Sequence, residues 1–306
     1  VLLRICISLE TEFEGERFIS FVCAIVVTFH PDALVMQGLA AVRPQVEKLI
    51  VVDNGSTREE LLPLREASSL LGFELIENGN NLGIATALNI GVRRGEALGA
   101  EWFLLLDQDG RVTDGYVAAM LRGFAASASG ERLAILVPRY VDSRYGNTLT
   151  SPPADGAQLE VAVTSGSLTP LRVFRKAGYF ADELFIDQVD SEYSLRVRAL
   201  GYAIEECTDA VLLHSPGTPT YHRVLGSKPF QVANYGPVRR YYQARNLVWL
   251  VRRYGGTFRP FVRSQVTIHA KDFVKICFEE NRWEKWRFFL WGLADGLRGR
   301  MGAMAR

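Results

Sequence analysis

Trp102-Phe103-Leu104-Leu105-Leu106-Asp107-Gln108-Asp109 is an apolar run that stops abruptly at two carboxylates. A continuous rather than alternating run is what a strand buried on both faces requires, as in a parallel sheet covered by helices on both sides. Three earlier runs share the pattern: Cys23 to Phe29, Leu49 to Asp53 and Phe73 to Glu77. Helical stretches separate them, at Ala33 to Val42, from Ser56 or Thr57 onward, and at Ile84 to Leu98; a fourth runs from Asp114 to Ala128. Ser56 with Glu59, or Thr57 with Glu60, supplies a capping box for the second helix, which Pro63 is expected to bend or delay. Asp114 is the expected cap of the fourth. Strands alternating with helices imply an α/β fold with a mostly parallel, right-handed sheet.

Every run ends in polar residues: Thr28, then Asp53-Asn54-Gly55-Ser56, then Asn78 to Asn81, then Asp107-Gln108-Asp109. Ligands of open α/β sheets bind outside the carboxyl ends of the strands, so these four ends are expected to line one crevice. Asp107 and Asp109, at i and i+2 on an extended chain, project to the same side and suit Mg2+ or Mn2+ with open positions for phosphate; turn or helix caps are the alternative. Asp53 can accept from a ribose hydroxyl or a base N–H, or simply close a turn. Asn81-Leu82-Gly83 precedes a helix, where glycine permits close backbone approach and the N-terminus favours an anion. No G-x-G-x-x-G follows a strand and no G-x-x-x-x-G-K-[ST] exists, so dinucleotide and P-loop readings lose their main support.

Ile135 to His214 reads as shorter strands and loops, with a helix from Asp190 to Leu200 stopped by Gly201. Asp187, Asp190 and Glu192 crowd its start. Asp190 is an N-cap or a general base toward a hydroxyl; Glu192 and Arg196 have ordinary i, i+4 spacing. His214 ends another apolar run and is either structural or turned toward a metal or diphosphate.

Hydrophobic residues make up 48% of the 306 and charged residues 23%, which fits a globular protein and excludes general disorder. The net charge of +1 hides an asymmetry. From Gly236 to Arg306 there are 15 Lys and Arg against 5 Asp and Glu, and four of the five tryptophans fall there. That tail carries helical segments at Val238 to Tyr254, Phe261 to Glu280 and Trp283 to Leu297. Arg282, Lys285, Arg287 and Arg298 interleave with Trp283, Trp286, Phe288, Phe289 and Trp291, the pattern of either a solvated bundle or an interfacial membrane anchor. Four cysteines (Cys6, Cys23, Cys207, Cys277) without paired spacing fit buried thiols in a reducing cytoplasm. The apolar stretch Ile5 to Leu9 is too short for a secretory signal, and no run reaches the roughly 20 residues of a membrane span, so peripheral contact is the expectation.

The blocks VVTFHPD, IVVDNGS, NLGIATALNIGV, FLLLDQDG, TSGSL, GYFADELFIDQVDSEYSLRVRALGY and HSPG, in this order from Cys23 to Gly217, resemble family 2 inverting glycosyltransferases. Within these the chain looks most like the rhamnosyltransferases of bacterial surface polysaccharide assembly, and RRYYQARN (Arg239 to Asn246) is also similar. The resemblance implies a GT-A fold over residues 23–235, with a nucleotide-binding half at 23–110 and an acceptor-binding half at 111–235. An N-terminal extension (1–22) would precede it and a helical C-terminal subdomain (236–306) follow it. It also implies that Thr28, Phe29 and Asp53 hold the nucleoside, with Asn81 and Gly83 beside it. Asp107, Asp109 and His214 would face the metal, and Asp190 would act as base, with Glu192 the second choice. Thr164, Ser165, Gly166 and Asp187 would border sugar and acceptor. Two departures, Ala181 before Asp182-Glu183 and Gly110 after the D-Q-D, bear on sugar preference.

The implied partners are a nucleoside-diphosphate sugar, dTDP-rhamnose first and a galactofuranosyl or other hexosyl donor second, and a glycan or lipid-linked acceptor. The expected setting is cytoplasmic, on the inner face of the plasma membrane. A sugar nucleotidyltransferase is disfavoured because Phe29-His30-Pro31-Asp32 replaces its glycine-rich basic loop. A binding module without turnover is disfavoured by the intact acids. Nothing marks a nucleic-acid partner.

Overall fold

A computed structural model of the chain describes residues 12–13, 16–17, 20–149, 158–214, 220–222, 230–232 and 234–305. Cys6, the Ile5 to Leu9 stretch and Ser215 to Gly217 lie outside the described residues. The strands are β1 (Glu12–Phe13), β2 (Glu16–Arg17), β3 (Val22–Thr28), β4 (Lys48–Asp53), β5 (Glu74–Glu77), β6 (Trp102–Asp107), β7 (Arg111–Val112), β8 (Leu133–Asp142), β9 (Leu168–Pro170), β10 (Ala203–His214), β11 (Thr220–His222) and β12 (Phe230–Val232). The helices are α1 (Leu34–Val42), α2 (Arg58–Leu71), α3 (Ile84–Ala97), α4 (Tyr116–Ala126), α5 (Leu171–Ala177), α6 (Val189–Ala199), α7 (Pro237–Tyr254), α8 (Arg259–Lys275) and α9 (Arg282–Arg298).

Eight strands form one sheet in the order β5-β4-β3-β6-β9-β8-β10-β7, parallel except for β9 and β7. All seven residues of β3 are buried, as its unbroken apolar run requires. The chain winds outward from β3 to β4 and β5, then returns to lay β6 on the other side of β3. That reversal opens a crevice at the carboxyl ends of β3 and β6. Gly91 and Gly95 let α3 sit against the sheet: a Cβ at Gly91 would lie 2.3 Å from Ile25 Cγ2, and one at Gly95 2.7 Å from Phe103.

Several local expectations change. Thr57 and Glu60, not Ser56 and Glu59, make the capping box of α2. Pro63 lies inside α2 without delaying its start at Arg58. Asp114 does not cap α4; Gly115, in the left-handed region, precedes its first turn. α6 begins at Val189, so Asp190 sits within the first turn rather than capping it. The middle of the chain contains two long strands rather than short ones: β8 and β10 pair in parallel, with an irregularity between Cys207 and Val211.

By contacts the chain divides into two compact units. One comprises Val1–Leu82, Ala87–Tyr179 and Arg196–Ser215 and contains the whole sheet; the other comprises Gly83–Thr86, Phe180–Leu195 and Pro216–Arg306. In the second unit α9 packs closely on α7: a Cβ at Gly292 would fall 2.1 Å from the Tyr241 carbonyl oxygen and one at Gly296 2.8 Å from that of Arg245. Among the described residues no helix is long and apolar enough to cross a membrane. Cys23, Cys207 and Cys277 are free thiols, and burial pushes Cys23 up to about 12.

Candidate active site

The strand ends of the first unit are tied together by their own side chains. Asp53, fully buried at the end of β4, accepts from Thr28 Oγ1 (3.0 Å), the Gly55 and Ser56 amides (3.0 and 2.9 Å) and Ser56 Oγ (2.5 Å). Four donors satisfy a carboxylate that would otherwise be costly to bury. Asn54 is a hub that sequence reasoning missed. Its amide donates to Asn81 Oδ1 (3.0 Å), while its Oδ1 accepts from Asn78 Nδ2 (3.2 Å) and the Leu82 amide (3.0 Å). Gly55 is required here: its φ is +101°, and a Cβ would lie 2.5 Å from the Asn80 carbonyl carbon. At the switch point the Phe29 amide donates to Gln108 Oε1 (2.8 Å), joining the ends of β3 and β6, and the Phe29 ring is 40% exposed.

The Thr164-Ser165-Gly166 turn lies against the end of β6. The Asp107 amide donates to Ser165 Oγ (3.0 Å), and Gly166 donates to the Leu105 carbonyl (2.6 Å). Two buried phenols clamp the turn from behind: Tyr116 donates to the Gly166 carbonyl (2.5 Å) and Tyr140 to that of Ser165 (2.8 Å). Gly166 has φ +84°, and a Cβ there would lie 2.8 Å from Pro138 Cγ, so a side chain would be both strained and crowded. Thr164 stays partly exposed at the mouth.

His214 Nδ1 lies 3.4 Å from Asp109 Oδ2 and is buried without a formed hydrogen bond. The Asp109 carboxylate is the largest influence raising the imidazole above its ordinary pKa; burial opposes it, and Asp107 and Asp142 add to the rise. The carboxylates of Asp107 and Asp109 are hard oxygen donors of the kind that suits Mg2+ or Mn2+, with the His214 imidazole beside Asp109. Among the described residues no three His, Cys, Asp or Glu side chains converge on one point. An ion there would complete its shell with water and phosphate oxygens, as hard divalent cations commonly do.

The remaining predicted residues belong to the second unit. Gly83 has φ +87°, and its missing Cβ makes room for Phe185: the Phe185 carbonyl oxygen would be 2.6 Å from a Cβ, and it accepts from the Ile84 amide (2.7 Å). That packing accounts for the glycine without a ligand. Phe185, Asp187 and Gln188 all have positive φ (63°, 63°, 62°), sparsely populated backbone that costs a non-glycine residue roughly 1–3 kcal/mol. Strain of this kind collects at functional sites. Asp187 pairs with Arg239 (3.2 Å); burial pushes its carboxyl up, and Arg239 opposes the shift. Asp190 is half-buried in the first turn of α6. Glu192, 2% exposed, accepts from Tyr254 Oη (2.9 Å), which makes it part of the packing behind that turn.

A mostly parallel α/β sheet with carboxylates at its switch point is an architecture many enzymes share, and comparison gives the class. The family model for glycosyl transferase family 2 matches residues 23–178, just over half of the chain, so the chain belongs to that family and is a glycosyltransferase. It is 26% identical over 299 residues to dTDP-rhamnosyl transferase RfbF of Shigella flexneri, covering 92% of this chain and 97% of the relative. It is 29% identical over 261 residues to galactofuranosyltransferase GlfT1 of Mycolicibacterium smegmatis, covering 76% and 84%. Among solved structures its fold is similar to GalNAc-T7 with UDP, GalNAc and Mn2+ (TM-score 0.59, 14% identity, 90% of this chain and 56% of that one). It is also similar to the mannosyltransferase PcManGT of Pyrobaculum calidifontis in complex with GDP-Man and Mn2+ (TM-score 0.54, 16% identity, 93% and 76%). The expected α/β glycosyltransferase fold and family are both borne out.

Proposed function

We propose that the chain transfers L-rhamnose from dTDP-rhamnose, with inversion, to a hydroxyl of a glycan or lipid-linked acceptor in bacterial surface polysaccharide synthesis. The observation that carries the choice of sugar is the similarity to a dTDP-rhamnosyl transferase over nearly the full length of both chains. A galactofuranosyl donor is the second reading, supported by the 29% identity to GlfT1. Titrating the protein with dTDP-rhamnose, UDP-galactofuranose, UDP-GlcNAc and GDP-mannose in the presence of Mn2+ tests it. Saturable binding of dTDP-rhamnose alone is expected; binding of UDP-galactofuranose instead would move the assignment to the second reading.

In this reading Phe29 offers its exposed side chain to the nucleoside, while Thr28 and Asp53, both fully buried and bonded to each other, act from behind by fixing the strand ends around it. Asn81 lies in the same hydrogen-bonded group. Asp107, Asp109 and His214 would hold Mg2+ or Mn2+. The ion, when bound, neutralises the charge that develops on the departing diphosphate. Ser165 holds the chain at Asp107 in place through its hydroxyl, and Thr164 and Gly166 border the sugar. Asp190 takes the proton of the acceptor hydroxyl as the new bond forms. Attack from the face opposite the leaving group inverts the anomeric centre in one displacement, without a carboxylate nucleophile.

The basic C-terminal helices are proposed to rest on an anionic membrane surface at the inner face of the plasma membrane. The anchor inferred from sequence needs correction in two places. Lys285 is buried and pairs with Glu279 (2.9 Å), and Phe289 is buried in the cluster around Ala244 and Ile276. The outward groups are Arg282, Arg287, Trp283 (71% exposed) and Leu290 on α9, with Arg263, Val266, Ile268 and Val274 on α8. Trp283→Glu with Val274→Glu should abolish co-sedimentation with phosphatidylglycerol vesicles; retained binding sinks the membrane reading. Deleting α9 would be a poor test, because it strips the covering from α7.

A further inference from the structure

The turn that leads into α6 is held by one side-chain pair on α7, more than fifty residues later in the chain. Asn246 is completely buried, and its Nδ2 reaches three backbone carbonyls: Leu184 (2.9 Å), Ile186 (2.7 Å) and Asp187 (2.8 Å). An amide has only two hydrogens, so at least one is shared, and the three carbonyls are gathered on one atom. Arg245, also completely buried, sets which way the amide points. Its Nε donates to Asn246 Oδ1 (2.9 Å), which turns Nδ2 toward the carbonyls. Its Nη2 donates to the carbonyls of Glu183 (3.1 Å) and Leu184 (2.9 Å), and its Nη1 to that of Gly302. Gly302 closes the loop by donating its amide to the Glu183 carbonyl (2.9 Å). The neighbouring Tyr242 stacks on Phe185 (centroids 4.8 Å apart, planes 8° from parallel), and the Met304 amide donates to the Tyr242 hydroxyl (2.8 Å).

These bonds fall on the segment whose backbone is least able to hold itself. Phe185, Asp187 and Gln188 all have positive φ; the carbonyls of Phe185 and Gln188 are taken by the Ile84 and Glu192 amides, and those of Leu184, Ile186 and Asp187 are the ones α7 satisfies. A plain hydrophobic contact would leave those carbonyls unsatisfied, whereas a buried amide and guanidinium satisfy them and set the path of the turn.

We propose that Arg245 and Asn246 are positioning residues for the glycosyl-transfer step: they fix the turn Leu184 to Gln188 and thereby set where the first turn of α6 presents Asp190. Gly302 is part of the same brace. The inference rests on Asp190 being the base.

Hydrogen exchange and turnover on the full chain separate this inference from that reading. The variants are Asn246→Ala, Arg245→Lys and a chain ending at Arg300, which removes the Gly302 and Met304 hydrogen bonds, leaves Arg245 and Asn246 in place and is the mildest. Exchange of amides 184–190 is expected to rise at least tenfold in each, while β3 and β6 amides keep their protection. Release of dTDP from dTDP-rhamnose with Mn2+ should fall about 10²-fold in kcat for Asn246→Ala, as for a misplaced group, with donor KM within about threefold of the parent. The truncated chain should show a smaller fall of the same kind. Unchanged exchange at 184–190 would overturn the brace whatever the activity. Raised exchange with normal kcat would overturn its positioning role, as would loss of activity that merely tracked global melting. Asp190→Asn, run beside them, judges the base assignment alone: turnover surviving in it removes that reading while the exchange data still decide the brace.

Discussion

The strand ends around Asp53 and the turn around Asp187 solve one problem, fixing polar groups in place, by opposite means. At Asp53 the partners are local or one strand away: Gly55, Ser56 and Thr28, with Asn54 tying in Asn78 and Asn81. At Asp187 the backbone itself is in an unfavourable conformation, and its partners come from α7 and from Gly302. A site built from local turns is stable as soon as the sheet exists. A site built on a strained turn depends on a distant element, and its precision can be altered without touching it.

Exchanging the charged group in each region gives the largest effects. Asp190→Asn is expected to lower turnover by about 10³-fold with donor affinity kept, a loss within the range for a general base. Asp109→Ala should instead weaken Mn2+-dependent donor binding by at least tenfold in calorimetric titration. If both variants lost binding equally, the division of labour between the regions would collapse.

Stability should separate the regions next. Asp53→Ala leaves four donors facing an empty space and is expected to cost about 3 kcal/mol in urea unfolding. Gly55→Ala should be comparably severe, from its φ of +101° and the 2.5 Å approach to Asn80. A loss below about 1 kcal/mol in either would mean that the strand-end network is not what holds the crevice.

The smallest effect is a pH dependence. Burial holds the Asp187 carboxyl above its ordinary 3.8, with Arg239 opposing. Folding thus favours the protonated form, so this contribution is full below the ordinary value and is lost as pH rises through the higher folded-state value. Asp187→Asn removes it. The variant's melting temperature should therefore drop less than the parent's as pH rises from about 4 to about 6, a difference under about 1 kcal/mol. An identical pH profile in parent and variant would show that Arg239 fully compensates burial.

The sheet was legible because its strands are buried on both faces and so read as unbroken apolar runs; their polar ends marked the crevice by the same logic. Thr28, Asp53, Asp107 and His214 do end strands, and Asp109 lies two residues beyond one. β8 and β10 were read as shorter because Pro138 and Arg139 interrupt one, and Glu205, Glu206, Thr208 and Asp209 the other. The irregularity between Cys207 and Val211 absorbs residues that look like loop, and pairing of β8 with β9 stops at Leu136, before the proline. Asn54 was hidden because an asparagine before Gly55 signals a turn and says nothing of a hub. The brace was hidden by distance, but it left a trace: Arg240 to Leu247 are all buried, a run with neither a polar face nor an apolar one. Arginine, glutamine and asparagine inside such a run indicate polar groups waiting elsewhere in the chain.

Gly302 gives the order in which this enzyme is made a chemical meaning. Every strand of the large sheet has been synthesised once His214 has emerged, and the hydrogen-bonding partners of Asp53 and Asn54 are complete by Leu82. The Glu183 and Arg245 contacts must wait for residue 302. Domains fold as their segments leave the ribosome, earlier segments first. A nascent chain can thus complete the strand-end network while the turn before Asp190 still lacks its Gly302 contacts, so the two regions become fixed in that order.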